Sequence, residues 1–218
     1  MSGADERPVG VVPRLDHLVY AVPDLAEAVA ALGARLGVTP AAGGRHTGLG
    51  TANALLALGP LAYLEVIGPD PAQPPARGPR PFGLDDLAAP RLVAWAIHTD
   101  RIELEATEAR RRGYDPGPVE AMTRELPSGG RLAWRLTRGS VAAGVAVVPF
   151  LIDWGPSPHP AASAPAGVRL LGLGAGHPDP RSVQARCAAL RVELPISPAT
   201  EPSLWAQLAA AGGTVELG

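Results

Sequence analysis

A carboxylate in the middle of an apolar segment is the first sign of chemistry in this sequence. Glu65 lies between Tyr63–Leu64 and Val66–Ile67. Burying a charged carboxylate costs free energy unless the charge is paired. We therefore predict that Glu65 lies in a cleft beside a partner such as His17, Arg45 or a metal ion. A structural ion pair would also explain its position.

Two histidines and an arginine are further candidates. His17 follows Asp16 near the start of a predicted strand, where it is either a metal ligand or a half-buried histidine bonded to the backbone. Arg45 and His46 lie in the glycine-rich passage Gly43–Gly50. Either His46 binds a metal, or both side chains bind an anionic substrate that the glycines let approach closely. An exposed turn is the third interpretation.

The chain has 4 tryptophans and only 2 phenylalanines, which is an unusual balance. Trp95, Trp134 and Trp154 fall on predicted strands, so we predict that they line the wall of a small-molecule pocket. Asp153 is either a general acid/base, if buried, or an exposed carboxylate at a strand end. Three histidines are predicted to lie on the surface: His98, His159 and His177.

These side chains need strands and helices to position them. Leu15–Val22 reads as a strand, and Asp24 is well placed to cap the helix that follows. Gly37 is suited to end that helix with a positive φ. One apolar face of the helix is formed by Leu25, Val29, Leu32 and Leu36. Two strand-like runs, Asn53–Leu58 and Leu61–Ile67, complete a strand, a helix and up to three strands: a βαβββ unit.

Weaker versions of the opening strand return twice. Three segments begin with Arg-Leu, continue as an apolar run and reach an Asp where a helix can begin: Arg14–Leu25, Arg91–Ile102 and Arg169–Pro180. Internal repetition of this kind indicates one small unit used several times. We predict an α+β protein with a tail at 1–13, units at 14–70, 91–155 and 168–218, and linkers at 71–90 and 156–167. The tail is predicted to be flexible, the 71–90 linker to be Pro-rich and external, and the third unit to be shorter.

Composition narrows the class of protein. The 218 residues are 46% apolar and 18% charged, which is typical of a folded soluble protein. A net charge of −2 gives no general reason to bind nucleic acid or an anionic membrane. No run approaches the ~18 apolar residues of a membrane span, and no secretory segment precedes the first repeat. Cys187 is the single cysteine, which excludes an intramolecular disulfide and any cysteine-rich zinc site. We expect a cytoplasmic protein. The sequence contains no phosphate-binding loop, so we expect no nucleotide cofactor.

The repeats, together with Leu15-Asp-His-Leu-Val19 and Tyr63-Leu-Glu-Val-Ile67, resemble the vicinal oxygen chelate superfamily. This superfamily contains glyoxalase, bleomycin-resistance and extradiol dioxygenase proteins. Three passages resemble its glyoxalase-like branch: Gly43–Leu56, Tyr63–Asp70 and Pro149–Gly155. The resemblance implies that two units pair into a curved mixed sheet around a cleft, with the third, partial unit appended.

In that family a divalent metal is held by the first and last strands of each unit. His17 and Glu65 match the ligand positions of the first unit, and His46 is a candidate third ligand. Imidazole and carboxylate ligands suit Zn²⁺, Fe²⁺, Ni²⁺ or Mn²⁺.

The other two units depart from the family's pattern. In the second unit the matching residues are Val93 or Ala94, and Ile152, none of which binds a metal. Asp153 is one residue out of register, on the opposite strand face unless a bulge intervenes. The third unit offers only Gly172 and Glu216, so the resemblance implies an incomplete ligand set.

Two hypotheses about function follow. In the first, the protein is a metal-dependent lyase, isomerase or dioxygenase acting on a small oxygenated metabolite, with Glu65 and Asp153 as candidate catalytic residues. In the second, it is a non-catalytic protein that binds or sequesters a small molecule such as an antibiotic. An exposed sheet edge in the third unit would favour pairing with a second copy, so a homodimer is expected.

Overall fold

Apolar strands and three amphipathic helices alternate along the chain in the computed structural model, which describes residues 7, 9–74, 76, 78–126, 129–139 and 145–218. No helix among these residues is both long and apolar enough to cross a membrane. The elements are β1 (Leu15–Ala21), α1 (Leu25–Leu36), β2 (Ala41–His46), β3 (Thr51–Gly59), β4 (Ala62–Pro69), β5 (Arg91–His98), α2 (Ile102–Arg111), β6 (Val119–Glu125), β7 (Arg131–Thr137), β8 (Phe150–Asp153), β9 (Arg169–His177), α3 (Pro180–Ala189), β10 (Ile196–Pro198), β11 (Ser203–Ala210) and β12 (Gly213–Leu217). Two short 3₁₀ helices, Pro81–Asp86 and Pro160–Ala162, lie in the connecting segments.

The first eight strands form a closed barrel in the order β1-β4-β3-β2-β6-β7-β8-β5. Within each half the first strand runs parallel to the last, so β1 pairs with β4 and β5 pairs with β8. The halves join through antiparallel β1 and β5 on one side and a single pair, Arg45 with Glu125, between β2 and β6 on the other. The predicted α+β fold with a curved mixed sheet is confirmed, and the sheet closes completely.

Alternation along the strands separates the barrel into two apolar layers. On β8, Phe150 and Ile152 belong to the inner cluster, whereas Leu151 belongs to the outer one. The inner layer surrounds a cavity. The outer layer packs under the helices and the third unit, and its members include Leu18 and Trp95.

The third unit has the same element order but a different sheet. Its strands lie in the order β10-β9-β11-β12, with β9 parallel to β10 and antiparallel to β11. In the first two units the opening strand lies beside the closing strand instead. Leu173, Leu204 and Leu208 of this sheet join the outer layer of the barrel. The third unit therefore covers the outside of the barrel and lines no part of the cavity among the described residues.

Capping residues mark the start of two of the three helices. Asp24 accepts from the backbone N–H of Glu27 at 2.9 Å, and Gly37 ends α1 with φ 71°. Asp179 caps α3 in the same way. The prediction for α2 was wrong, because its N-cap is Arg101 and not Asp100.

The predicted tail and linkers contain residues outside the described part of the chain: 1–6, 8, 75 and 77. Gly10 nevertheless exchanges two backbone hydrogen bonds with Leu173, and Val12 is buried. Phe82 and Leu84 of the 71–90 linker are also buried, in the inner layer. The linker is thus partly internal rather than wholly external. The division into units at 14–70, 91–155 and 168–218 remains our proposal.

Gly44 allows β2 and β6 to approach where the barrel closes. Its φ is 147°, and a Cβ there would lie 2.1 Å from the carbonyl oxygen of Glu125. We predict that Gly44→Ala lowers the free energy of unfolding by about 3 kcal/mol through strain and steric overlap. Urea titration followed by circular dichroism measures the change. Gly78→Ala is the control, because a Cβ at Gly78 meets no atom within 4 Å, and equal stability of the two variants would contradict the prediction.

Candidate functional site

The barrel encloses a cavity of about 60 Å³. Its lining comes from seven of the eight barrel strands, from the residues that follow β2, β7 and β8, and from the linker between the units. Most lining side chains are apolar. The polar and charged ones, which are grouped on β1–β4 and β6 apart from Arg138 after β7, are His17, His46, Asn53, Tyr63, Glu65, Arg124 and Arg138.

Glu65 lies between two imidazoles. Its Oε2 is 3.9 Å from Nε2 of His17, and its Oε1 is 3.8 Å from Nε2 of His46. Both distances are too long for hydrogen bonds. The three side chains come from β4, β1 and β2, so the structure brings together the three residues that the sequence suggested as metal ligands.

Neighbouring side chains fix the orientation of His17. Its Nδ1 donates to Oδ1 of Asp16 across 2.7 Å, because an ionised carboxylate can only accept. With Nδ1 bonded to Asp16, Nε2 is the nitrogen that faces Glu65. The ring also stacks on Tyr63, with centroids 4.8 Å apart.

His46 is buried on a strand, so its interpretation as an exposed turn was wrong. Its Nδ1 lies 3.0 Å from the hydroxyl of Thr51, which leaves Nε2 toward Glu65. Burial lowers the pKa of His46, and the nearby charge of Arg124 lowers it further against the opposing effect of Glu65. The imidazole is therefore neutral near pH 7, as a metal ligand must be.

Asp16, fully buried next to the cavity, accepts from four side chains. In addition to His17, its Oδ2 accepts from Nε1 of Trp154 at 2.9 Å, from Nε2 of His159 at 3.1 Å and from Nδ1 of His98 at 3.3 Å. Burial alone would raise the pKa of Asp16, but the bonds from His159, His17 and His98 outweigh it and hold the pKa well below its usual range.

The predicted surface position of His159 was therefore wrong, since its side chain is only 14% exposed. His98 is half exposed, in agreement with its prediction, although it also contacts Asp16. His177 bonds only to the backbone near Asp179.

Sequence reasoning missed two lining residues that contact one another. Asn53 donates to Oε1 of Glu65 at 2.5 Å, and its own Oδ1 accepts from Nη1 of Arg124 at 3.0 Å. The only sequence signal for Asn53 was its polar side chain at the start of the otherwise apolar run Asn53–Leu58. Arg124 lies on β6, in the other half of the barrel, and nothing local marked it.

The remaining predicted site residues divide into two groups. Trp134 and Trp154 line the cavity as predicted, with ring centroids 5.3 Å apart. Trp95 is fully buried in the outer layer, where Nε1 donates to the carbonyl of Val147. Its neighbours Ala94 and Ala96 belong to the inner layer.

Arg45 and Asp153 also lie away from the cavity. Arg45 is exposed and pairs with Asp70. Asp153 is buried on the outer face of β8, where it pairs with Arg135. No bulge in the described β8 ladder corrects its register, so its predicted catalytic role has no support from the geometry.

The family model of the glyoxalase-like domain matches residues 15–191 of this chain. The chain belongs to the glyoxalase-like domain family. No curated protein matches it.

Among solved structures, a hypothetical protein from Staphylococcus aureus is similar with a TM-score of 0.64 at 14% identity, over 87% of each chain. Methylmalonyl-CoA epimerase from Mycobacterium tuberculosis gives a TM-score of 0.42 at 20% identity, over 73% of this chain and 98% of its own. A mutant 4-hydroxymandelate synthase from Streptomyces coelicolor gives 0.44 at 17% identity, over 97% and 62%. At 14% identity the likeness to the Staphylococcus aureus protein concerns the fold.

The second half of this glyoxalase-like protein offers no metal ligands at the positions equivalent to His17 and Glu65. His17 is the β1 partner of Tyr63, and the β5 partner of the corresponding Phe150 is Ala96. The prediction of Val93 or Ala94 was therefore wrong by two or three residues, because bulges shift the β1–β5 register. Ile152 corresponds to Glu65, as predicted.

The donor chemistry of His17, His46 and Glu65 fits a divalent ion. Two imidazoles whose Nε2 atoms face Glu65, together with its carboxylate, are a common catalytic ligand set. Ligand atoms about 2.1 Å from a tetrahedral zinc lie about 3.4 Å apart. The described residues contain no group of three or more His, Cys, Asp or Glu side chains close enough to hold a metal as it stands. The two nitrogen–oxygen distances around Glu65, 3.8 and 3.9 Å, are longer than this, so binding requires the side chains to move closer together.

We predict that Asp16→Asn lowers the free energy of unfolding by about 3 kcal/mol at pH 7, because the amide places an N–H donor among four other donors. Urea titration measures the change. Asp100→Asn is the matched control, since Asp100 is exposed, and it is expected to stay within about 0.5 kcal/mol of wild type.

The same pair of variants gives a pH dependence. The folded-state pKa of Asp16 is lower than in the unfolded chain, so its stabilisation is present above about pH 4 and is lost as the pH falls below that value. Between pH 5 and pH 3, wild type and Asp100→Asn should lose about the same amount of stability as each other. Both should lose stability more steeply than Asp16→Asn. Parallel profiles for all three proteins would contradict this assignment.

Proposed function

We propose that this glyoxalase-like protein is a metal-dependent enzyme acting on a small oxygenated metabolite, with His17, His46 and Glu65 holding the ion. The observation that supports this most is the placement of two anchored Nε2 atoms 3.8 and 3.9 Å from the two oxygens of Glu65. Three protein ligands leave coordination positions open, as catalytic metal sites do. A divalent ion there would polarise a carbonyl or enediolate oxygen of the substrate.

The protein side chains have separate tasks in this proposal. Asp16 and Thr51 hold the two imidazoles through Nδ1. Asn53 holds Glu65 through Oε1. Glu65 is the only carboxylate among the described lining residues, so a proton that leaves the substrate has no other carboxylate acceptor there.

The apolar wall keeps water away from the reacting atoms. Phe150, Ile152, Trp134 and Trp154 form one side of it, and Phe82 closes another. Phe82 has φ 61°, an uncommon conformation for a bulky residue, which is maintained where burial compensates for its cost. The cavity is partly open and has a volume of about 60 Å³, which favours a substrate whose reacting end is small.

The second candidate is a non-catalytic small-molecule binder. The apolar Ala96 and Ile152 at the equivalent positions of the second half favour it. Metal binding separates the two candidates. A homodimer through the third unit and a cytoplasmic location remain predictions from the sequence.

We predict about one divalent ion per chain in tag-free protein after incubation with Zn²⁺, Fe²⁺, Ni²⁺ or Mn²⁺ and desalting, as measured by inductively coupled plasma mass spectrometry. His17→Ala, His46→Ala and Glu65→Gln should each weaken metal affinity at least about ten-fold, because each removes one ligand. His177→Ala is the matched control, since His177 lies outside the cavity, and it should retain the ion. If wild type binds none of the four ions and none of them raises its thermal stability, the proposal is refuted. The non-catalytic small-molecule binder is then the remaining candidate.

A further inference from the structure

Arg124 is the one arginine that is buried among the described residues, with 5% of its surface exposed. It lines the cavity and makes no ion pair with a carboxylate in the described part of the chain. Its Nη1 donates to Asn53, while its Nε has no hydrogen-bond partner among the described residues. A buried cation with an unpaired donor is costly in a folded protein, which indicates that a ligand group completes its contacts.

The neighbouring backbone is shaped to keep this side chain inside the barrel. A Cβ at Gly43 would lie 2.9 Å from Nη1 of Arg124, and a Cβ at Gly44 would lie 2.9 Å from its Cγ. The two glycines of β2 therefore leave the space through which the side chain passes. Long basic side chains normally extend their charge to water, so this enclosure holds the guanidinium at a fixed place in the wall.

The charges of the cavity favour an anionic ligand. Glu65 is the only carboxylate among the described lining residues, and Asn53 lies between it and Arg124. In the proposed function Glu65 binds the metal ion. The ion and Arg124 then leave an excess of positive charge, which an anionic substrate would balance.

The guanidinium geometry favours a carboxylate over other anions. Nη1 is bonded to Asn53, and Nε is buried without a described partner. A carboxylate that reached this edge of the planar fork would meet two parallel N–H donors, the arrangement in which arginine binds carboxylates. A phosphate group is larger and carries more charge. Of the two lining arginines, Arg138 already pairs with Glu120, so the cavity offers a phosphate one arginine without a described carboxylate partner. The small volume also favours the planar group.

We propose that Arg124, positioned by Asn53 and the Gly43–Gly44 pair, binds the carboxylate of the substrate, so that the substrates of this site are short carboxylic acids. A carbonyl or hydroxyl oxygen on the neighbouring carbon would face His17, His46 and Glu65. This second contact and the charge balance that favours an anion rest on the proposed function, whereas the buried position of Arg124 and its unpaired Nε do not. Arg45, the arginine that the sequence suggested for an anion, is exposed and outside the cavity.

The test compares pyruvate with its neutral isostere pyruvamide by isothermal titration calorimetry, on metal-free protein and on protein with added Zn²⁺. Wild type is expected to bind pyruvate at least about ten-fold more tightly than pyruvamide. Arg124→Gln should remove this preference by weakening pyruvate alone, and Arg124→Lys should retain part of it. Arg45→Gln is the matched control and should keep the full preference.

The two proposals fail in different ways. Equal binding of pyruvate and pyruvamide to wild type, or tighter binding of inorganic phosphate than of pyruvate, would overturn the carboxylate assignment even if the protein binds a metal ion. A preference for pyruvate that depends on Arg124 in protein that binds no metal would support the assignment while the metal-dependent function fails. The comparison in wild type and Arg124→Lys decides the matter if Arg124→Gln does not fold.

Discussion

The carboxylate of Asp16 accepts hydrogen bonds from side chains on β1, on β5, directly after β8 and in the segment that follows. These donors come from both halves of the barrel. The negative charge of Asp16 therefore connects the β1–β5 pair to the end of β8. Because Asp16 is fully buried, water does not compete for its hydrogen bonds. Removing the carboxylate would leave several buried N–H groups without an acceptor. The orientation of His17, and with it the arrangement around Glu65, depends on this contact.

Features that depend on residues close in sequence were predictable. Asp24 and Gly37 mark the ends of α1 because capping is decided within one helical turn. The outward position of Asp153 followed from strand alternation, once Glu65 was matched to Ile152. His17 and Glu65 were identified through the resemblance of their segments to a known family. These signals needed no information about how the barrel closes.

Features that depend on closure were not predictable from one sequence. His159 reaches Asp16 across a separation of 143 residues, and Arg124 reaches Asn53 across 71. Neither contact has a local pattern. Trp95 was misassigned for a related reason, since register shifts between β1 and β5 change which β5 residues belong to the inner and which to the outer layer. The third unit repeats the order of elements but not the order of strands, so its repeat signal did not reveal its different sheet.

The glycine-rich passage shows how one sequence feature can serve both the fold and the site. Glycines inside a strand lose conformational entropy on folding and contribute no side-chain packing. Here Gly44 permits the close approach of β2 and β6, and Gly43 and Gly44 together make room for Arg124. His46 and Thr51, at the end of the same passage, then orient one imidazole toward Glu65. The passage that closes the barrel thus also brings a neutral imidazole to Glu65 and makes room for a buried cation that is bonded to Asn53, the neighbour of Glu65.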